Sequence, residues 1–140
     1  MIVVWGIAVL CTLFLSSCKR PEVLDNSTLV NSARNVALTF GPAYVPYFKE
    51  ANVSDVQVFK KEDYGDSRPQ IRKQIGRKFY TVTFICDSTA VKFDFGFAAR
   101  VRIWKDTGEP LDVIFGNGWG RNFFFLSFKE QTDHSANDYE

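Results

Sequence analysis

Near residue 53 the spacing of apolar residues changes from a period of about 3.6 to a period of 2, and a chain that changes once has few ways to fold. The stretch "NSTLVNSARNVALTF", residues 26–40, places Leu29, Val30, Ala33, Val36, Ala37 and Phe40 on one helical stripe and Asn31, Ser32, Arg34 and Asn35 on the other. Asp25, Asn26 and Ser27 supply N-cap oxygens. Gly41 and Pro42 end the helix, one by tolerating a left-handed cap and the other by lacking a donor. The following "AYVPYFKE" predicts an irregular stretch or a short helical turn.

Beyond that point the alternation and the β-branched and aromatic content predict strands over 55–61, 78–86, 91–104, 110–115 and 123–129. "KDTGE" (105–109) and "GNGWGRN" (116–122) carry Gly and Asn where tight turns need positive φ, so the last three strands read as an antiparallel meander. Helices do not alternate with the strands, which excludes a parallel sheet with a dinucleotide site. The spacing Gly116-x-Gly118-x-Gly120 is a hairpin turn rather than a phosphate loop, because no helical pattern follows it.

The expected class is therefore α+β: an N-terminal amphipathic helix packed on a curved antiparallel sheet of four to five strands. This element order resembles the cystatin-like and NTF2-like folds, which implies a sheet wrapped around the helix. The alternative is an all-β sandwich or barrel with one appended helix, although closure needs more strands than the pattern supplies. With 140 residues, 46% of them hydrophobic, one domain is expected, and 16% aromatic content predicts a core rich in rings. Seventeen basic against sixteen acidic residues, a formal charge of +1, provide no field to gather nucleic acid, which is not an expected partner.

Residues 2–15, "IVVWGIAVLCTLFL", are uncharged and apolar, too short to span a bilayer at about 20 residues but of signal-peptide length. The run ends in Leu15-Ser16-Ser17-Cys18, which resembles the lipobox of bacterial lipoproteins. That resemblance implies cleavage before Cys18, acylation of its thiol, and a cell-envelope location with the domain lipid-anchored to a membrane. One departure from the usual pattern is that no Lys or Arg precedes the run. The expected organisation is a signal peptide over 1–17, a lipidated tether over 18–24, a single domain over 25–130 and a disordered polar tail over 131–140. With Cys11 removed and Cys18 acylated, Cys86 alone remains, so the domain is expected to stand on packing without an internal disulfide. Cys86 itself ends an apolar alternation and reads as a small buried hydrophobe.

Candidate functional residues follow from the faces of the predicted strands. On 91–104, Phe95, Phe97, Ala99, Val101 and Ile103 share a core face, and Asp94, Arg100, Arg102 and Trp104 share the other. Arg100 and Arg102 beside an exposed Trp104 would bind carboxylates, glycans or a protein surface. The plainer reading has the arginines solvated or paired across strands with Asp112, and Trp104 covering the sheet edge. Trp119 is a further candidate contact, alone or in an apolar patch with Phe124. Arg68, Arg72, Lys73, Arg77 and Lys78, with only Asp66 opposing them in 66–78, form a basic loop suited to anionic head groups or simply to water.

No catalytic set assembles from the sequence. The single histidine, His134, lies in the polar tail, metal ligands of the His and Cys type are missing, and Asp87, Asp94 and Asp112 have no spacing that favours a carboxylate site. No cofactor or metal is implied. The expected function is a membrane-anchored domain that binds a protein, peptide or small ligand without catalysis. Two alternatives are an NTF2-like enzyme with a cavity between helix and sheet, and a structural envelope component or immunity-type inhibitor.

Overall fold

The computed structural model describes residues 24–65 and 68–137, with side chains through residue 133. The predicted signal segment, Cys18 and Asp66 lie outside the described residues. Among the described residues no helix is long and apolar enough to cross a membrane.

Helix α1, Asn26–Phe40, is capped as its sequence predicts: the Asp25 carboxylate accepts the Thr28 N–H at 2.7 Å. Leu29, Ala33, Val36 and Ala37 form its buried stripe, each at most 1% exposed. The helix ends where Gly41 N–H donates to Ala37 O at 2.8 Å, with Gly41 at φ −147 rather than in the left-handed cap expected for it. A β-carbon on Gly41 would lie 2.3 Å from the Phe115 ring, so this turn depends on a residue without one. Pro42–Tyr47 then winds as a 3-10 helix, the short turn expected there.

The rest is built on one open antiparallel sheet of β1 (Phe48–Val53), β2 (Gln57–Val58), β3 (Lys78–Cys86), β4 (Phe97–Trp104), β5 (Pro110–Phe115) and β6 (Gly120–Asn122). Its order is β1-β3-β4-β5-β6, with β2 also on β3. Among the described residues the linear order is not that of a closed barrel, and the single sheet is not a sandwich. Strand β1 was not expected. As an edge strand whose register shifts between Phe48 and Ala51, it lacks a clean alternation. Ser54 interrupts the edge without leaving β3 unpaired: its N–H donates to Thr81 O, and its Oγ accepts the Thr81 N–H, both at 2.9 Å. The edge then resumes as β2, which occupies two residues of the predicted 55–61 strand.

Each face of the sheet has its own core. Pairings Val82↔Val101↔Val113 and Phe84↔Ala99↔Phe115 put these side chains on the α1 side, where they meet the helix stripe. Aromatic rings complete this core: Phe48 stacks on Phe84 at 4.2 Å and Tyr44 on Phe115 at 4.6 Å. On the opposite face Phe59, Ile71, Phe79, Trp104 and Leu111 form a second, smaller cluster with Tyr64 and Phe124 against it. Ile71 is delivered by α2, Pro69–Arg72, so the basic stretch is pinned to the sheet rather than being a wholly exposed linker.

Three further expectations change. Strand β4 starts at Phe97, not residue 91, because the chain turns at Gly96 (φ 70) and leaves Phe95 58% exposed instead of in the core. The last strand is Gly120–Asn122, not 123–129: Phe123 turns toward the α1 core and Phe124 toward the second cluster, so the apolar run serves two cores. The predicted disordered tail begins instead in a helix, α3, Phe128–Asn137. The sequence "SFKE" is a capping box: Ser127 N–H donates to Glu130 Oε2 at 2.8 Å, and Glu130 N–H to Ser127 Oγ at 3.3 Å. Gln131 Nε2 then ties α3 to the Asn122 and Leu126 carbonyls at 2.8 and 2.9 Å.

Candidate functional site

The second face of the sheet is covered by its aromatic cluster at one end and left open at the other. Cross-strand pairs Thr81↔Arg102, Thr83↔Arg100, Arg100↔Ile114 and Arg102↔Asp112 pave the open part. Short Thr side chains on β3 beside long Arg side chains on β4 leave a trough between them. Ser54, Gln57 and Asp63, from the interrupted edge and the segment after it, contribute its further lining. The result is an open groove of about 540 Å³. A smaller hollow of about 210 Å³ adjoins it, sharing Asp63, Arg102 and Ile114 and including Tyr64, Asp112 and Asn122.

Arg102 and Asp112 fix the floor. The Arg102 Nε donates to both Asp112 oxygens at 3.0 Å, and a terminal guanidinium nitrogen donates to Oδ2 as well. The guanidinium also faces the Phe79 ring at 5.3 Å. Asp112 is only 4% exposed, and burial pushes its carboxyl up from the usual aspartate range against the hydrogen bonds and charge of Arg102. For Arg102, burial alone would lower the pKa, but the Asp112 hydrogen bonds and charge, with help from Asp63, raise it. The cross-strand pairing read from the sequence is thus present, and the charge of Arg102 is neutralised locally.

Arg100 differs. It is exposed, its guanidinium sits 4.3 Å from the centroid of the Phe97 ring, and among the described residues it has no ion pair. Its planar fork remains available for a carboxylate, phosphate or backbone carbonyl brought into the groove. Hydrogen-bonding groups line the way: Thr83, and Thr81 with its hydroxyl donating to Gln57 Oε1 at 2.6 Å. The groove can orient a polar ligand through one cation and several neutral groups. Among the described residues its lining holds no His or Cys, and its one carboxylate, Asp63, caps its own turn by accepting the Lys60 N–H at 2.6 Å.

The other sequence candidates fall elsewhere. Trp104 is 5% exposed and belongs to the second cluster, so the exposed aromatic expected beside Arg100 and Arg102 is a core residue. Trp119 is 44% exposed but stacks on Phe115, at the α1-side core, with the Arg121 guanidinium 5.7 Å from its ring. Phe124 is packed rather than part of a patch; the exposed apolar residues near it are Phe125 and Leu126. Of the basic stretch, Arg68 lies over Phe125 at 4.0 Å and Arg77 over Trp104 at 4.0 Å. Arg77 also forms a fork with Asp106, at 3.0 and 2.7 Å, while Arg72, Lys73 and Lys78 are exposed. The hydrogen bond from Arg77 holds the Asp106 carboxyl below the usual range.

Cys86 is buried and unpaired at the end of β3. Asp87 caps a turn, accepting Thr89 Oγ1–H at 2.6 Å, which holds its carboxyl low. Among the described residues no three Asp, Glu, His or Cys side chains gather as a metal site. Sequence reasoning missed Ser54, Gln57, Asp63, Thr81 and Thr83 as groove residues. The signal for two of them was present in "FYTVTFIC", where Thr81 and Thr83 must face away from Val82 and Phe84. No protein-family model, no curated protein and no solved structure matches this chain.

Proposed function

We propose that this chain is a lipoprotein held to a membrane through acylated Cys18, whose domain binds a partner or ligand in the groove over β3, β4 and β5 without turning it over. The observation that carries the reading is Arg100: an exposed guanidinium set among Thr, Ser and Gln groups in an otherwise open sheet face. A ligand presenting a carboxylate or a row of carbonyls satisfies that fork, and the neutral groups set its orientation. The helix and sheet follow the cystatin-like or NTF2-like plan in this reading. An NTF2-like enzyme would need a cavity between α1 and the sheet. That interval is filled by Leu29, Val36, Phe84, Val101 and Phe115, each at most 1% exposed, which weighs against a catalytic pocket there.

A second reading, an envelope scaffold or immunity-type inhibitor, draws support from Trp119, Phe125 and Leu126, all 39% exposed or more, around the short edge strand β6. The experiment is capture from a cell-envelope extract on immobilised residues 19–140. The groove reading expects a captured component that is lost with Arg100→Glu and retained with Trp119→Ser. Retention with Arg100→Glu and loss with Trp119→Ser moves the site to the β6 edge and refutes the groove.

A further inference from the structure

We infer that one end of the domain, formed by the start of α1, the β4–β5 turn and residues 72–78, lies against the anionic surface of the membrane that holds the anchor. This rests on the lipid-anchor reading and adds to it an orientation. Leu24, the first described residue, sits against the β4–β5 turn: a β-carbon on Gly108 would be 3.4 Å from a Leu24 methyl. Leu24 follows Cys18 by six positions, so an extended tether reaches no more than about 22 Å. The acyl chain therefore enters the bilayer close to this end of the domain.

The charge at that end suits the surface it would meet. Arg77 pairs with Asp106 of the β4–β5 turn, which draws the basic stretch up to the turn and neutralises one of its acids. The Lys105 N–H donates to Lys78 O at 2.9 Å, setting these two residues side by side. Arg72, Lys73, Lys78 and Lys105 are exposed there, against the acids Glu109 in the turn and Asp25 at the start of α1, and among the described residues none of these four cations has an ion pair. Ile75, 45% exposed, lies at the turn closed by Gly76 (φ 88), with Arg72 and Lys73 before it and Lys78 after it in sequence. An exposed apolar side chain in a basic segment matches the boundary between head groups and acyl chains. The opposite end, around the Asp87 turn, exposes Phe95 but balances Lys92 and Lys49 with Asp87 and Asp94, so it offers no net positive charge. With this orientation the sheet face bearing Arg100 stands beside the membrane rather than against it.

The test uses the full chain, acylated in cells and reconstituted into vesicles of phosphatidylglycerol in phosphatidylcholine or of phosphatidylcholine alone. A polarity-sensitive fluorophore is attached at Ile75→Cys or, at the far end, at Ser88→Cys; Cys86 is buried. The emission at position 75 should shift to the blue on anionic vesicles and not on neutral ones, and position 88 should stay aqueous on both. Replacing Arg72, Lys73 and Lys78 together by Gln should cut the docked-to-undocked ratio on the order of 100-fold, about fivefold per cation. An acylated chain whose position 75 stays aqueous on anionic vesicles, or whose position 88 shifts instead, overturns the orientation while leaving the anchor standing. Failure to incorporate labelled palmitate refutes the anchor, and the orientation falls with it.

Discussion

Removing either partner of the Arg102–Asp112 pair should destabilise the domain, but the two deletions should respond differently to pH. Asp112 is 4% exposed, and the Arg102 side chain is 16% exposed against Phe79. In Asp112→Ala the guanidinium cannot shed its proton and loses a carboxylate that accepted three hydrogen bonds from it. The cost should be about 3–5 kcal/mol, with the partial exposure of Arg102 placing it at the lower end, and the variant's own stability should carry no titration from this site. In Arg102→Met the buried carboxyl can escape its charge by binding a proton. Its folded pKa, raised by burial even in the parent, then rises further above the unfolded one, so the folded state holds more protons and stability falls with rising pH over a wider range than in the parent. The slope is about 1.4 kcal/mol per pH unit from the ordinary aspartate range up to the raised folded value, with a plateau above it. The double variant Arg102→Met with Asp112→Leu removes both charges and should come within about 1 kcal/mol of the parent or exceed it. Urea unfolding of residues 19–140, followed by tryptophan fluorescence from pH 4.5 to 8, reads all three. A pH-independent deficit in Arg102→Met, or a double variant as unstable as Asp112→Ala, would refute the reasoning.

Other expectations are smaller. Gly41→Ala places a methyl 2.3 Å from the Phe115 ring and should cost about 1–3 kcal/mol by overpacking, read as a lower urea midpoint at unchanged m-value. Ser127→Ala removes the α3 capping box and should cost about 1 kcal/mol with a loss of helical ellipticity; unchanged ellipticity counts against the helix. Asp106→Asn should remove part of the acid limb of the stability curve. The carboxyl is held low by Arg77, so its contribution is present above the ordinary aspartate range and lost as pH falls through the folded value. With Asp106 57% exposed, no more than about 1 kcal/mol is at stake.

What could be read in advance was what repeats along the chain. The α1 stripe, its Asp25 cap and the Gly41 stop are local signals, and strands 78–86 and 110–115 emerge with the predicted bounds because their alternation is clean. Edge strand β1 was hidden because its register shift breaks the period and half its side chains meet water. The run 123–129 misled because consecutive Phe residues pack to opposite faces of the sheet, a division that depends on tertiary structure. The Ser127-to-Glu130 capping box was readable and was outweighed by the polar composition after it. For the site, the Arg102–Asp112 pairing was legible from strand alternation. The burial of Trp104 was not, because it depends on Phe59 and Phe124 arriving from distant segments, with ring centroids 5.7 and 6.5 Å away. The groove itself arises where the interrupted edge places Ser54 and Gln57 alongside β3, and no periodicity announces that.

The account depends most on Cys18, since the tether, the membrane-facing end and the outward groove all follow from a lipid on that residue. Cells expressing the full chain, or its Cys18→Ala variant, are fed labelled palmitate, and the protein is recovered from the membrane fraction. The account predicts label on the parent chain and none on Cys18→Ala. Equal labelling of the two, or none on either, contradicts it.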